Sequence, residues 1–122
     1  MIRILILEDD IERVKLFRQN FTGCEFIFTD KVPECIKYLN ENKFDYLFLD
    51  HDLGGKVFVP SDGEELTGYH VAKHLEENPS CKPVKTIFIH SFNSVGAKKM
   101  KEALPNAVLV PGVWTQKINF AL

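Results

Sequence analysis

The stretch Phe44 to Gly55 reads FDYLFLDHDLGG: an unbroken apolar run, Tyr46, Leu47, Phe48 and Leu49, stops at Asp50, His51 and Asp52 and is followed by two glycines. A short apolar run closed off by turn residues is the pattern of a strand buried on both faces, as in a parallel sheet. The polar residues behind it then emerge at the carboxyl edge of that sheet, where open α/β sheets bind their ligands. One aspartate there would read as a helix cap. Asp-His-Asp directly behind a buried strand reads as a site.

The same construction recurs on either side. Ile2, Ile4, Leu5, Ile6 and Leu7 form an apolar run that ends in Glu8, Asp9 and Asp10, and Val84 to Ile89 ends in His90 and Ser91. After the first run, Val14, Phe17 and Phe21 recur at helical spacing behind Asp9 or Asp10 as cap, and Thr22 and Gly23 end that helix. Cys24 to Phe28 predicts a strand, and Asp30 caps a helix with Pro33 in its first turn and Val32, Cys35, Ile36 and Leu39 on its buried face. Beyond Asp52, Leu53 to Glu64 predicts a long loop of the kind that covers a site. A helix of about Glu65 to Glu77 turns Gly68, Val71, Ala72 and Leu75 to the sheet before Asn78 and Pro79 stop it. Asn93 or Ser94 caps a helix carrying Ala97, Met100 and Leu104, and Ala107 to Val110 predicts a fifth strand. In the tail, Trp114, Lys117, Ile118 and Ala121 keep helical spacing over about two turns.

Five strands alternating with helices predict a three-layer α/β fold around a parallel sheet with right-handed crossovers. In the order 2-1-3-4-5, the first, third and fourth strands are central neighbours, so their polar ends converge: Glu8, Asp9 and Asp10, then Asp50, His51 and Asp52, then His90 and Ser91.

Composition limits what such a site can be. The 122 residues, 45% of them apolar, predict one domain, residues 1–122, with core enough to fold alone. Fifteen basic and 17 acidic residues are mixed along the chain, which leaves no polybasic face for general DNA binding. No run approaches membrane-spanning length, and Met1 to Leu7 is too short and too soon acidic for a signal peptide. Cys24, Cys35 and Cys81 are odd in number and widely spaced, which predicts reduced thiols in a cytoplasmic protein.

ILILEDD, FDYLFLD and TGYHVAKHLEE together resemble the receiver domain of two-component response regulators, a flavodoxin-like fold, over nearly the whole chain. The resemblance implies that Glu8 and Asp9, with Asp50, hold a divalent metal such as Mg2+ or Mn2+, and that Asp50 stands at the phosphoacceptor position. Two features depart from that pattern. His90 and Ser91 stand where a receiver has a small hydroxyl residue ending the fourth strand, and Val110, Pro111 and Gly112 stand where it has a lysine ending the fifth. Loss of that cation removes the fixed positive charge on the phosphoryl group.

DHDLGG with HSFN is similar instead to the divergent cyclic-phosphate processing receiver domains, a family associated with nucleic-acid repair and phage conflict. That resemblance implies an enzyme processing cyclic phosphate ends of RNA or nucleotides. The chemistry expected of the residues themselves is general acid and base work by His51 and His90, whose ordinary pKa lies near neutrality, oriented by Asp50 and Asp52. Ser91, Asn93 and the helix N-terminus behind them are the expected phosphate binders. The alternative is a receiver or pseudo-receiver module for signalling or interaction, with Asp50 at the phosphoacceptor position.

Other readings of the same residues are weaker. Asp50 and Asp52 also resemble the nucleophile motif of haloacid-dehalogenase-type phosphatases, but that fold begins with this strand and here two precede it. An EF-hand fails because Gly54 stands at the third ligand position and Ser61 at the closing glutamate. His70 and His74 read as a solvated helix face, and Trp114 as core or interface. The short tail predicts uncovered apolar surface near Val113, Trp114 and Ile118, and with it a homodimer.

Overall fold

The computed structural model describes residues 1–121. Its elements are β1 (Ile2–Leu7), α1 (Ile11–Asn20), β2 (Phe21–Thr22), β3 (Cys24–Thr29), α2 (Val32–Glu41), β4 (Tyr46–Leu49), α3 (Gly68–Glu77), β5 (Thr86–Ile89), α4 (Ser94–Ala103), β6 (Val108–Leu109) and β7 (Ile118–Asn119). Five strands form a parallel sheet in the order β3-β1-β4-β5-β6. With the two-residue β2 set aside, this is the expected 2-1-3-4-5 topology.

The two faces of the sheet bury different sets of side chains, as strand alternation requires. Leu5, Leu7, Leu47, Leu49, Ile87 and Ile89 pack under α2, α3 and α4. Ile4, Ile6 and Phe48 face the other way, onto Phe17 and Phe21 at α1 and onto Val113 and Trp114. Those last two lie in a 3-10 turn, Val113–Thr115, which covers this face where the short tail was expected to leave it open. Gly112, at φ 75°, turns the chain into it.

Several expectations are corrected. Lys31, not Asp30, is the residue before α2, and Thr29 Oγ1 accepts its N–H. The third helix begins at Gly68 rather than Glu65, because Thr67 caps it: its hydroxyl accepts from Tyr69 N, and Thr67 N donates to His70 Nδ1. The tail does not continue as a helix. Ile118 and Asn119 pair in parallel with Phe21 and Thr22, a long-range partnership that no local periodicity encodes. Val113 and Trp114 are buried and Ile118 is half-buried, so the open surface on which a homodimer was expected is covered. No helix among the described residues is long and apolar enough to cross a membrane.

Candidate functional site

Register decides which residues meet. Leu7, Leu49 and Ile89 lie level across β1, β4 and β5, and the ladder runs one step further, with Asp50 N donating to Leu7 O and His90 N to Leu49 O. Glu8, Asp50 and His90 therefore leave the sheet side by side, on the α1 face. One ligand atom from each lies within 4.8 Å of the others, and all three residues are buried.

In this cluster Glu8 Oε2 accepts from Asp9 N and Asp10 N at 3.1 and 3.0 Å, and Glu8 Oε1 lies 3.0 Å from His90 Nε2. His90 Nδ1 has no partner. An unprotonated Nδ1 leaves a lone pair unmatched rather than an N–H, so the better tautomer carries its proton on Nε2 and donates to Glu8. Burial pushes the Glu8 carboxyl up to about 7, and burial likewise pushes the His90 imidazolium down to about 4. Asp50 is pushed up to about 6, by burial first, with Glu8 adding to it and His90 opposing. Its Oδ1 accepts from its neighbour His51 N at 2.8 Å.

His51 is one residue beyond Asp50 and so points to the opposite face. Its Nδ1 lies 2.8 Å from Asp52 Oδ1 and its Nε2 2.8 Å from Ser61 Oγ. Above the ring runs α4, where Gly96 leaves the room: a Cβ there would stand 2.4 Å from His51 Cγ. Asp52, held below the usual carboxylate range by hydrogen bonds from His51 and Asn93 that outweigh its burial, also accepts from Phe58 N and Val59 N at 2.6 and 3.2 Å. His51 and Asp52 together tether the loop between β4 and α3.

A cavity of about 280 Å³ opens over this edge, lined by Asp9, Asp10, Arg13, Asp50, Asp52, Gly55, Lys56, Val57, Phe58, Ser91, Phe92 and Asn93. It brings together Asp9, Asp50, Asp52, Ser91 and Asn93 from the expected site. His51 and His90 are both wholly buried and neither lines it. The expectation that two imidazoles flank one phosphodiester is therefore not met: on adjacent strands, period-two alternation sends residues 51 and 90 to opposite faces. Asn93 is also committed, since Oδ1 accepts from Gly96 N and Nδ2 donates to Asp52 Oδ1 and Val59 O. Ser91 Oγ accepts from Asn93 N, which leaves its hydroxyl proton free for a ligand.

The residue that sequence reasoning missed is Arg13. Its Nη1 lies 3.7 Å from Asp50 Oδ2 and 3.8 Å from Glu8 Oε1, and its Nε 3.8 Å from Asp10 Oδ2. The guanidinium carbon sits 4.3 Å from the Trp114 ring centroid and 5.3 Å from that of Phe92. An arginine among Glu12, Lys15 and Arg18 reads as a solvated face. The available signal was position: it lies three residues after Asp10, in the first turn, at the end of the helix that meets the cavity. Phe58 and Phe92 on the rim were likewise missed. His70 and His74 are occupied elsewhere, the first in the α3 cap and the second with Asn40 Oδ1 at 2.8 Å.

Glu8, Asp50 and His90 form a donor set suited in chemistry to a divalent cation such as Mn2+ or Mg2+, and Asp9 opens onto the same cavity. Arg13 already places positive charge beside two of those carboxylates, so a metal would share the site with it.

The fold resembles solved receivers at low identity. A receiver domain protein from Methanospirillum hungatei aligns with TM-score 0.60 and 17% identity, over 91% of this chain and 82% of that one. The response regulator TrrA from Thermotoga maritima, in complex with Mg(2+)-BeF, aligns with TM-score 0.61 and 17% identity over 92% and 89%. DrrB from Thermotoga maritima aligns with TM-score 0.60 and 16% identity over 92% of this chain, which spans 46% of DrrB. No curated protein sequence matches. The model of the cyclic-phosphate processing receiver domain matches residues 4–106, and with a receiver fold beneath that match, the chain belongs to this family.

Proposed function

We propose that this protein hydrolyses cyclic phosphates, on free nucleotides or at the ends of RNA, and that Asp50 is the reacting carboxylate. The observation that carries the reading is the pairing on the cavity floor: a buried carboxyl, pushed up to about 6 by its burial, stands 3.7 Å from an arginine clamped by two aromatic rings. Ionised Asp50 accepts a proton from water as the water oxygen bonds to phosphorus. The phosphorus bond to one ribose oxygen then breaks, and the proton returns to that oxygen through Asp50 or solvent. Arg13 and the Ser91 hydroxyl meet the charge that develops on the non-bridging oxygens.

The other expected residues act through these. Burial, with the Glu8 carboxyl adding to it, pushes Asp50 up to about 6 and His90 holds Glu8 in place, while His51, Asp52 and Asn93 fix the loop that walls the cavity. Were a divalent metal bound, Glu8, Asp50 and His90 would hold it, with Asp9 at the cavity beside them, and it would neutralise phosphoryl oxygens as a Lewis acid. The setting suggested by the family, RNA repair or phage conflict, fits a substrate of this kind.

The test is a panel of nucleoside 2′,3′-cyclic phosphates and cyclic-ended oligonucleotides, with and without Mg2+ or Mn2+, followed by phosphorus NMR. A monoester resonance formed by the wild-type chain and not by Asp50→Asn is the expected result. An unchanged cyclic resonance for every substrate would overturn it. The second reading, a signalling receiver, is favoured by one observation, the position of Asp50 beside Glu8 at the end of β4, and has its own test in the Discussion.

A further inference from the structure

Of the ten phenylalanines in the chain, two are exposed, Phe58 at 75% and Phe92 at 58%, and both line the cavity that holds Arg13 and Asp50. Leaving a phenylalanine in water forgoes roughly 1.5–3 kcal/mol that burial would return. Two such rings on the rim of one cavity give it apolar walls beside the charged pair.

Phe58 carries a second, independent sign. It is the one non-glycine residue with positive φ among the described residues, at 53°, a conformation costly for a bulky side chain. Phe58 N and Val59 N both donate to Asp52, whose Oδ1 is also met by His51 and Asn93. A strained backbone tied to a carboxylate that three other groups hold, with its ring turned out to solvent, is the construction of a ligand clamp. Phe92 packs its edge against Trp114, with ring centroids 5.2 Å apart and planes at 80°, and is thereby fixed as a platform.

We infer that Phe58 and Phe92 stack the nucleobase of the nucleotide whose phosphate lies between Arg13 and Asp50. The inference rests on the proposed reading of the site and names its substrate class: a single nucleoside phosphate unit, with its base required and its base identity little constrained. The cavity, at about 280 Å³, lies at the small end of ligand sites and suits one nucleotide rather than a duplex. Every base has a π-face, so stacking without edge-reading side chains tolerates all four.

The experiment measures binding and turnover separately. Affinities for adenosine and uridine 3′-monophosphates are compared with that for ribose 5-phosphate by titration calorimetry, and turnover of nucleoside 2′,3′-cyclic phosphates with that of methyl riboside 2′,3′-cyclic phosphate, which has no base. The wild-type chain is expected to prefer the nucleotides by roughly 5- to 100-fold. In Phe58→Leu that ratio is expected to collapse toward one, and in Phe58→Trp to be kept. Phe58 is exposed, so these variants fold. Nucleotide preference without any hydrolysis would uphold the stacking site and remove the hydrolase; hydrolysis with equal use of base-bearing and base-free substrates would do the reverse. Absence of both binding and hydrolysis overturns both.

Discussion

Arg13 Nη1 lies 3.7 Å from Asp50 Oδ2, across the gap between the first turn of α1 and the end of β4. In a receiver the positive charge at such a carboxylate comes from a lysine at the end of the last sheet strand; here Val110, Pro111 and Gly112 stand there, and the cation enters from the opposite side. Trp114, brought back by the 3-10 turn that replaces a last helix, stacks on it. The turn that closes this face thus also supplies the ring that holds Arg13.

Arg13→Ala is therefore expected to lower kcat/KM on a cyclic nucleotide by about 10²–10³-fold, the usual loss when one preorganised donor to a developing charge is removed. Arg13→Lys should recover little of it, since an ammonium neither stacks on Trp114 and Phe92 as a plane nor spans two carboxylates. Steady-state kinetics of both variants decide this, and full activity in Arg13→Ala would falsify the assignment.

Gly96→Ala tests the packing of His51. The added methyl would stand 2.4 Å from His51 Cγ, inside the ring's own van der Waals shell. A destabilisation of roughly 1–3 kcal/mol is expected, read as a lowered Tm. Much of it should vanish in a His51→Ala background, which opens the space. Equal penalties in both backgrounds would mean that α4 backbone strain, not the imidazole, is the obstacle.

The central strand ends were legible because a parallel sheet imposes long apolar runs and delivers whatever follows them to one edge. That argument located Glu8, Asp50 and His90 but did not resolve faces: counting on by two from the level pair Leu49 and Ile89 reaches His51 and Ser91, which leaves His90 on the opposite side, a step that needs the β4–β5 register. Arg13 was illegible because its meaning depends on Trp114, 101 residues away in sequence. The tail was misread for the same kind of reason. Ile118 has a helical neighbour pattern locally, and its actual partner is Phe21.

The buried carboxyls give stability a pH dependence with a definite sign. Glu8 is pushed up to about 7 and Asp50 to about 6, so between roughly pH 4, where these groups titrate in the unfolded chain, and those values the folded chain holds protons that the unfolded one has released. Their contribution falls as pH rises through that window. His90, pushed down to about 4, works the other way between 4 and roughly 6.5, but it is one group against two. Glu8→Gln isolates the carboxylate: from pH 5 to pH 8 the variant is expected to gain on the wild type by roughly 1–3 kcal/mol. Thermal melts at the two pH values measure the gap, and parallel shifts would contradict it.

Acetyl phosphate is expected to leave no stable phosphoryl group on Asp50. Arg13 is bound to three carboxylates and two rings rather than free to follow a phosphoryl group, and no lysine ends the last sheet strand. Intact mass after incubation with Mg2+ is the measurement. An added phosphoryl mass, absent from Asp50→Asn, would restore the signalling reading.

The two histidines separate the ways in which this site can use a buried imidazole. If Asp50 is the base, kcat/KM should rise with pH through about 6 and then level, and Asp50→Asn should lose roughly 10²–10⁴-fold. His90 touches Glu8 and not the cavity, and with its imidazolium pushed down to about 4 it is neutral where Asp50 titrates, so its part is the hydrogen bond that holds Glu8. In His90→Gln, whose amide can still donate to Glu8, the acidic limb and the plateau are both expected to be largely kept. His51 anchors Asp52 and Ser61 on the other face; His51→Gln should loosen the loop that carries Phe58 and raise KM, with the limb where it was. A direct general acid or base behaves differently: its replacement removes a limb and lowers kcat at every pH. Full pH profiles of the two variants, with kcat and KM resolved, therefore distinguish support from catalysis for each ring. Loss of a limb in His51→Gln with KM unchanged would return that imidazole to the reacting atoms, and would require the loop to open in a way that exposes it.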